Sequence, residues 1–543
     1  MRHLLSLSAF VLAAALTGGA AEPVLTHIHP AGAQQGSKVS VKLTGSFKPW
    51  PCPVHADVPG IVFTPGKDEG NFEVAVAADV IPGPHLIRAF NDEGASAPIS
   101  MVVDTSPQSL EVEPNDDFRS PQVLAGSTAT CNGRLDKGGD VDSFRVTLQK
   151  GQTMVVRVDA VVLASGVDAM LRIVDAGGTT LAFNHDYTTM DPFLVFVAPQ
   201  DGACVVQVMG QKYPASSDIN FAGGEDCVYR LHLSTEPVVR NTWPLAVQRG
   251  RKTPVTLEGW NPASRQVEVD EASPRLFPVT FSDFTEFTEA AAPQSLEIPS
   301  AVSGRIEGTG GEDRYTFSAA KDAALELRVT GPSVGSLIDP VLKILDKDGK
   351  QLATSDDEGG SGEPRLNWIA PLDGVYAAVV SDLARRYGND YFYRLLITKS
   401  GPSVSASIAV HSVKVEAGKA AELKVAVSLV HGFASKLKLT AKSLPPGISA
   451  PEVDVADKGG ETVIKLTADA AAPRGSVPFQ LVLREVEGGK EHPVLFSLVS
   501  TGENNGVPQG FQKLLTNATD QLWLTVLPAP SPPAPPPPNP PAK

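Results

Sequence analysis

The chain carries an internal repeat, and this repeat restricts its fold more than any other feature. Residues 168–182 (DAMLRIVDAGGTTLA) align with residues 339–353 (DPVLKILDKDGKQLA), 171 positions further on. Each copy alternates short apolar runs with Gly-containing turns, which is typical of β-strands joined by tight turns. A β module used twice is therefore predicted. Two further pairs of motifs continue the alignment: APQDG at 198–202 with APLDG at 370–374, and YRLHL at 229–233 with YRLLI at 393–397.

Composition supports an all-β chain of several modules. The 543 residues exceed the usual size of one domain, and 48 Gly with 46 Pro suit many short strands joined by turns. We predict a string of β-sandwich modules, immunoglobulin-like and jelly-roll-like. The net charge of −15 argues against a nucleic-acid partner, because binders of nucleic acid need basic faces. The acidic balance is compatible with divalent cations or with simple solubility.

The first 21 residues have the pattern of a signal peptide. Arg2 and His3 form a short basic start, an apolar stretch covers residues 4–16, and small residues precede a cleavage site after Ala21. The apolar run is too short for a membrane anchor, which needs about 20 residues, and no later segment could span a bilayer. We therefore expect an exported mature chain in the periplasm, at the cell surface or in the extracellular space.

Four cysteines in an exported chain indicate a possible disulfide. Cys204 and Cys227 fall on two late strands of the same module, so we predict a bond between them across neighbouring antiparallel strands. Cys52 and Cys131 lie in different modules, and their pairing stays open.

Two segments share a pattern of proline, two glycines and an alternating strand. Both run from Pro to Gly to Gly with spacings of 6 and 9 residues, beginning at Pro30 and at Pro244. The pattern resembles the immunoglobulin-like IPT/TIG domain. The resemblance implies an IPT/TIG-like sandwich over residues 22–104 and a truncated segment of the same kind over residues 238–297.

The long repeats carry acidic motifs ahead of their strands. The first contains EVEPNDD at 111–117 and GGDVDSF at 138–144, and the second contains GEDRY at 311–315. These motifs resemble the bacterial pre-peptidase C-terminal domain, a β-sandwich often appended to secreted proteases and collagenases. The resemblance implies two such sandwiches, over residues 105–237 and 298–400.

The rest of the chain divides into one more module and a tail. Residues 401–528 alternate apolar and polar positions between turn signals, and they resemble a bacterial immunoglobulin-like or fibronectin-like sandwich. Residues 529–543 are nearly all Pro, Ala and Ser, which predicts an extended polyproline tail.

The acidic segment of the first long repeat is the best candidate site. Calcium takes six to eight oxygen ligands on a flexible loop, and in the collagen-binding relatives an acidic linker of this kind holds calcium. The resemblance implies the same here, with a solvated linker that binds nothing as the alternative. The second repeat begins with LEIPS at 296–300 and has Gly311 where the first has an aspartate, so no equivalent site is predicted there. The predicted Ca²⁺ ligands are Glu111, Glu113, Asn115, Asp116, Asp140 and Asp142.

Catalytic motifs are weak in this sequence. The string G-x-S-x-G around Ser333 needs a strand-to-helix elbow with a later Asp and His, but it lies in a β repeat and Pro332 disrupts the elbow. His27 and His29 alternate on one strand and lack a third metal ligand. We predict that the chain is not an enzyme and has no catalytic residues.

Together these features predict an exported, non-catalytic binding or scaffolding protein with a calcium-stabilised first long sandwich. Its partner would be an extracellular protein or polysaccharide. The alternative is an accessory subunit that targets a secreted peptidase or a polysaccharide-degrading system. A hydrolase whose site is assembled across modules is a third hypothesis.

Overall fold

The protein is an all-β chain, as the repeat predicts. Every described element is a strand except two single-turn 3-10 helices. No helix in this part of the chain is long and apolar enough to cross a membrane. The predicted signal peptide up to residue 20 and the predicted tail from residue 530 lie outside the described residues. The computed structural model describes residues 21–187, 189–213, 219–261, 265–273, 277, 279–290, 294–357, 362–430, 432–501 and 513–529.

The N-terminal sandwich consists of the first nine strands. These are β1 (Val24–His29), β2 (Gly32–Gln34), β3 (Lys38–Ser46), β4 (Val54–Ala56), β5 (Ile61–Pro65), β6 (Asn71–Val76), β7 (Gly83–Asn91), β8 (Gly94–Ala95) and β9 (Ile99–Asp104). Two sheets, with the strand orders β1-β3-β6-β5 and β2-β9-β7-β4, enclose one core. Val41 and Leu43 on β3 are buried while their neighbours are not, because successive side chains of a strand point to opposite faces.

The first long sandwich has ten strands. These are β10 (Gln108–Leu110), β11 (Gln122–Val123), β12 (Thr128–Arg134), β13 (Asp142–Leu148), β14 (Thr153–Asp159), β15 (Val167–Val174), β16 (Thr180–Asn184), β17 (Phe193–Val197), β18 (Gly202–Lys212) and β19 (Val228–Ser234). They form two five-stranded sheets with the orders β10-β12-β19-β14-β17 and β11-β13-β18-β15-β16. Strands β18 and β19 are consecutive in sequence but belong to opposite sheets.

A short linking sandwich follows and is built from five strands. These are β20 (Val238–Trp243), β21 (Ala246–Gln248), β22 (Thr253–Trp260), β23 (Gln266–Val269) and β24 (Thr280–Ser282). The sheet orders are β20-β22-β23 and β21-β24. The parallel pair β21-β24 matches the parallel pair β2-β9 of the N-terminal sandwich.

The second long sandwich repeats the first strand for strand. Its strands are β25 (Thr285–Thr288), β26 (Gln294–Leu296), β27 (Ser300–Arg305), β28 (Glu312–Ala319), β29 (Ala324–Thr330), β30 (Pro340–Leu345), β31 (Gln351–Ser355), β32 (Arg365–Ile369), β33 (Gly374–Asp382) and β34 (Phe392–Lys399). The sheet orders are β25-β27-β34-β29-β32 and β26-β28-β33-β30-β31. The predicted start at residue 298 is wrong, because β25 already pairs in parallel with β27 of this sandwich.

The C-terminal sandwich contains the last eleven strands. These are β35 (Ser403–Ile408), β36 (Ser412–Glu416), β37 (Ala420–Val430), β38 (Leu437–Lys442), β39 (Ile448–Ser449), β40 (Val453–Asp454), β41 (Gly460–Ala468), β42 (Gly475–Glu485), β43 (Glu491–Thr501), β44 (Lys513–Thr519) and β45 (Leu522–Leu527). Leu423, Val425 and Val427 alternate along β37 and are buried in its core, as the sequence pattern indicates.

An arginine joins each long sandwich to the sandwich before it. Arg230, which is 0% exposed, donates to Asp104 Oδ2 at 2.6 Å and to Asn132 Oδ1 at 3.1 Å. The equivalent Arg394 donates to Glu286 Oε1 at 2.6 Å and to Ser282 Oγ at 3.1 Å. The repeat therefore includes the junction between modules, because both arginines cross it with charge-assisted hydrogen bonds.

The first and last sandwiches contact each other through a cluster that we call the terminal clasp, formed by Arg88, Phe90 and Trp523. Trp523 is 1% exposed, and its ring centroid lies 4.9 Å from that of Phe90. Arg88 lies over the Trp523 ring at 5.5 Å and donates to the carbonyl oxygen of Gln521 at 3.0 Å. An aromatic ring that stacks on a desolvated cation is a strong contact, so the clasp holds the first and last sandwiches together.

We expect Trp523→Ala to open the terminal clasp, because the substitution removes both the ring packed on Phe90 and the face that Arg88 covers. Small-angle scattering of the full chain should then give a larger radius of gyration than for the unsubstituted protein. Lys414→Ala serves as the control, since its exposed ion pair with Glu22 is worth only about 0–1 kcal/mol. An unchanged radius for Trp523→Ala would contradict the clasp.

Candidate metal site

The acidic segment after β10 meets the turn before β13 at one end of the first long sandwich. The backbone N–H of Glu111 donates to the carbonyl of Asn132 at 3.0 Å, and that of Ser143 donates to the carbonyl of Asn115 at 3.1 Å. These bonds fold the acidic segment back onto both sheets. As a result, ligand atoms of four carboxylates lie within 4.8 Å of one another: those of Glu113, Asp116, Asp140 and Asp142.

Three side-chain oxygens of this cluster are buried and have no hydrogen-bond partner. They are the Oδ1 atoms of Asn115, Asp140 and Asp142, on residues that are 1%, 1% and 0% exposed. The second oxygen of each aspartate is satisfied: the N–H of Asp136 donates to Asp140 Oδ2, and the Tyr229 hydroxyl donates to Asp142 Oδ2, both at 2.6 Å. Each buried aspartate therefore keeps one oxygen available for a cation.

Tyr229 reaches the cluster because a glycine lies under its ring. Gly133 is the cross-strand neighbour of Tyr229, and a Cβ on this glycine would lie 2.3 Å from the tyrosine ring. No side chain can replace the glycine without displacing the ring. The second long sandwich repeats the device, since a Cβ on Gly304 would lie 2.4 Å from the Tyr393 hydroxyl.

Glu111 braces the cluster from one side. Its Oε2 accepts the backbone N–H of Arg134 at 2.7 Å, and its Oε1 accepts the Asn115 Nδ2 donor at 3.1 Å and lies 3.2 Å from the Tyr229 hydroxyl oxygen. Both oxygens are thus occupied by protein donors. Among the six predicted ligands, Glu111 therefore acts as a positioning residue: it holds its neighbours by hydrogen bonds and does not contact an ion.

The electrostatics of the cluster disfavour negative charge on its buried carboxylates. Burial raises the pKa of Asp142 to about 11, and the neighbouring Glu111 adds to this effect. Burial likewise raises the pKa of Asp140 and of Glu113. Only the exposed Asp116 has a lowered pKa, because its carboxylate accepts a hydrogen bond from Lys137 at 2.9 Å. The buried carboxylates need either protons or a cation.

The residues present fit Ca²⁺. All the donors are oxygens, which hard cations prefer, and three of them are buried without a partner. Asn115, Asp140 and Asp142 would hold the ion, with Glu113 and Asp116 on its solvent side. The ion would supply positive charge that joins the acidic segment to β13.

The second long sandwich keeps part of this arrangement, and sequence comparison missed it. The N–H of Arg305 donates to Glu289 Oε2 at 2.7 Å, as that of Arg134 does to Glu111. The Tyr393 hydroxyl donates to Asp313 Oδ2 at 2.7 Å and contacts the Tyr315 hydroxyl at 2.8 Å. The acidic brace is therefore Glu289, which precedes the LEIPS segment used in the sequence alignment. Burial raises the pKa of Glu289 to about 7 and that of Asp313 to about 6.

The predicted disulfide between Cys204 and Cys227 is wrong. All four cysteines are buried free thiols. Cys204 lies near the start of β18, and Cys227 lies near its far end, where the N–H of Gly166 bonds the carbonyl of Asp226 and the N–H of Tyr213 bonds that of Gly166. The eight residues from Cys204 to Lys212 span roughly 26 Å of strand, whereas bonded cysteines have Cα atoms within about 7 Å.

The string around Ser333 forms a turn with a structural role. Residues Pro332–Val334 make one 3-10 turn, and Glu363 Oε1 accepts the N–H groups of Gly331 and Ser333 at 3.0 and 2.9 Å. This is not the strand-to-helix elbow that a nucleophile needs. His27 and His29 do not join any group of three candidate metal ligands among the described residues, and burial lowers the pKa of His29 to about 4.

A Thr-His-Asp chain crosses the outer face of the β12-β19-β14 sheet, and the sequence did not reveal it. Thr130 Oγ1 lies 2.9 Å from His232 Nδ1, and His232 Nε2 lies 2.7 Å from Asp159 Oδ2. Thr130 is only 1% exposed, and its N–H donates to the carbonyl of Pro107. A nucleophile needs access and an oxyanion donor, and the Thr130 side chain is almost fully enclosed. With the partly exposed His232 and Asp159 it forms a hydrogen-bond network that ties three strands together.

Comparison with known proteins gives only distant likenesses. No protein-family model and no curated protein matches the chain. Among solved structures, the pre-peptidase C-terminal domain of a Bacillus anthracis collagenase is 18% identical over 20% of this chain and 98% of that one, with a TM-score of 0.17. Fibronectin(III)-like modules of Clostridium thermocellum CbhA are 9% identical over 44% and 91%, with a TM-score of 0.14. TM-scores this low assign neither a family nor a function.

The free thiols can be counted directly. Unfolded, unreduced protein should react with four equivalents of a thiol reagent, because all four cysteines are free thiols. Peptide mapping should then find the reagent on both Cys204 and Cys227. Only two reactive thiols, with these two cysteines in one linked peptide, would restore the disulfide.

Removal of cations should make stability depend on pH. An aspartate pKa raised to about 11 in the fold, against about 3.9 when unfolded, means that the fold holds an extra proton between these values. Stability in a chelator should therefore fall as pH rises above about 4, by up to about 1.4 kcal/mol per pH unit. Saturating calcium should flatten this slope in thermal melts, and identical slopes with and without calcium would contradict the account.

Proposed function

We propose that this protein is an exported, non-catalytic binding or scaffolding protein whose first long sandwich is stabilised by Ca²⁺. The observation that carries the calcium assignment is the set of buried, unpartnered oxygens on Asn115, Asp140 and Asp142. Burial of charge without a partner is destabilising by several kcal/mol. A bound cation would remove this penalty and fix the acidic segment to the sheet behind it.

A binding role is supported by a cleft on the same sandwich. A cavity of about 400 Å³ opens between the outer sheet face and the segments that connect this sandwich to its neighbours. The cleft walls combine an aromatic ring with convergent polar groups, which is the usual composition of small-ligand sites. The lining includes Ser106, Arg157, Phe193, His232 and Glu236. A sugar ring or one side chain of an extracellular polymer matches this size.

Titration of the full chain with CaCl₂ in a calorimeter tests the proposal. We expect one Ca²⁺ per chain and a melting temperature of the first long sandwich that rises with calcium concentration. At a free calcium concentration of 100 times Kd, the free energy of unfolding should increase by about 2.7 kcal/mol. Asp142→Asn should weaken binding roughly tenfold or more, since it removes a charged ligand and keeps the side-chain shape.

Asp313→Asn is the matched control. Asp313 has the position of Asp142 in the second long sandwich, as the strand pairing shows, and it too accepts a tyrosine hydroxyl. Its substitution should leave calcium binding unchanged. No heat of binding at millimolar calcium, or equal losses in both variants, would overturn the calcium assignment.

A further inference from the structure

The two long sandwiches differ in how the space between their sheets is filled at one end. In the second long sandwich, Phe317, Trp368 and Tyr376 meet there, with ring centroids between 4.7 and 6.2 Å apart. Their exposed fractions are 0%, 9% and 5%. The Tyr376 hydroxyl donates to the carbonyl of Leu372, in the turn before β33, at 2.7 Å. Aromatic rings bury large apolar surfaces when they pack in this way, so the three rings close this end of the second long sandwich.

The first long sandwich has much smaller side chains at two of these positions. Phe317 on β28 pairs with Tyr376 on β33, and the equivalent pair on β13 and β18 is Val146 with Cys204. An isopropyl group and a thiol therefore stand where the second long sandwich has two aromatic rings. Because the strand order of the two sandwiches is the same, the smaller side chains leave space between the sheets that close packing would otherwise fill.

This space is a pocket of about 460 Å³ with an apolar interior and a polar mouth. Leu148, Met154 and Leu233 line the interior and are 5%, 1% and 5% exposed. Arg145 lies at the mouth and is exposed. Val146, the equivalent of Phe317, is one of the lining residues, so the pocket lies at the end of the sandwich that the three rings close in the second copy.

Solvent reaches inward-facing side chains through this pocket. Val146 and Leu124 pack against the core of the first long sandwich, yet both are only half-buried. Their equivalents in the second long sandwich, Phe317 and Leu296, are 0% and 3% exposed. Transfer of an apolar group from water into such a space is favourable, and apolar cavities in proteins bind small aromatic molecules. The pocket is therefore suited to a ligand from outside the chain.

We propose that this pocket binds a small amphipathic aromatic molecule, whose ring system enters between the two sheets while an anionic group stays at the mouth beside Arg145. The second long sandwich provides the template, since Phe317 and Tyr376 place aromatic rings in the equivalent space. Facing sheets lie about 10 Å apart, so a flat ring system fits between them. Small-molecule sites have volumes of about 300–1,000 Å³, a range that includes this pocket. The inference does not depend on the calcium assignment, because no residue of the acidic cluster lines the pocket.

Titration of the full chain with anilinonaphthalene sulfonate in millimolar calcium tests the proposal. This probe combines aromatic rings with one anionic group, and its fluorescence rises in apolar surroundings. We expect one probe molecule per chain. Val146→Phe introduces the ring that the second long sandwich has at this position, and it should weaken binding about tenfold or more because it fills the pocket. Circular dichroism melts establish that each variant is folded.

Val463→Phe is the matched control for the added ring. Val463 is 37% exposed on the C-terminal sandwich, so this substitution makes the same chemical change far from the pocket and should leave binding unchanged. Arg145→Glu tests the mouth of the pocket without changing its interior. Arg145 is exposed, so this variant should fold normally, and repulsion of the sulfonate should weaken binding several-fold. Lys465→Glu, which reverses a charge at an exposed position of the C-terminal sandwich, should have no effect.

Displacement of the bound probe identifies the class of ligand. Naphthoate should displace the probe at a lower concentration than decanoate, an anion with a flexible acyl chain. The reverse order would overturn the aromatic assignment. The proposal also fails if the folded protein binds no probe, if a folded Val146→Phe variant binds it with unchanged affinity, or if Arg145→Glu and Lys465→Glu bind it equally well.

Discussion

The burial of two aspartates in the first long sandwich is the constraint on which the account of this protein depends. Asp140 and Asp142 are 1% and 0% exposed, and each has one oxygen satisfied by a protein donor and one without a partner. Charges are removed from water at high free-energy cost unless they are paired. The acidic segment, the tyrosine that spans a glycine and the turn before β13 are all arranged around these two carboxylates, and a cation is the partner that their free oxygens fit.

The second long sandwich has the same fold but lacks one of these two aspartates. It has Gly311 in place of Asp140, and it places Tyr315 where the first copy has the buried Phe144. The added hydroxyl contacts that of Tyr393, which in turn donates to Asp313. The half-buried Asp313 carboxylate accepts a neutral hydroxyl group, and this hydrogen bond stabilises it without a metal. The two copies therefore share topology and differ in how they stabilise one end of the sandwich.

The sequence predicts the fold well because strands leave periodic patterns, but it predicts contacts across the sandwich poorly. The repeat and the alternating positions correctly indicate β modules. The disulfide was wrong because Cys204 and Cys227 lie near opposite ends of β18, a displacement that sequence spacing does not reveal. Glu289 was missed because its neighbours lack the acidic motif, and the LEIPS segment, which begins seven residues later, was aligned instead. In the sequence, Tyr229 stands out only as part of the repeated YRLHL motif, because no neighbouring residue indicates that its hydroxyl reaches Asp142.

The most direct test of the central claim is a crystal structure of the protein grown with calcium, at a resolution that defines ions and water. The account predicts one Ca²⁺ with Asn115, Asp140 and Asp142 among its ligands, at oxygen distances of about 2.3–2.6 Å. Density for water alone at this position, or a direct hydrogen bond between protonated carboxyl groups that fills the space, would contradict it.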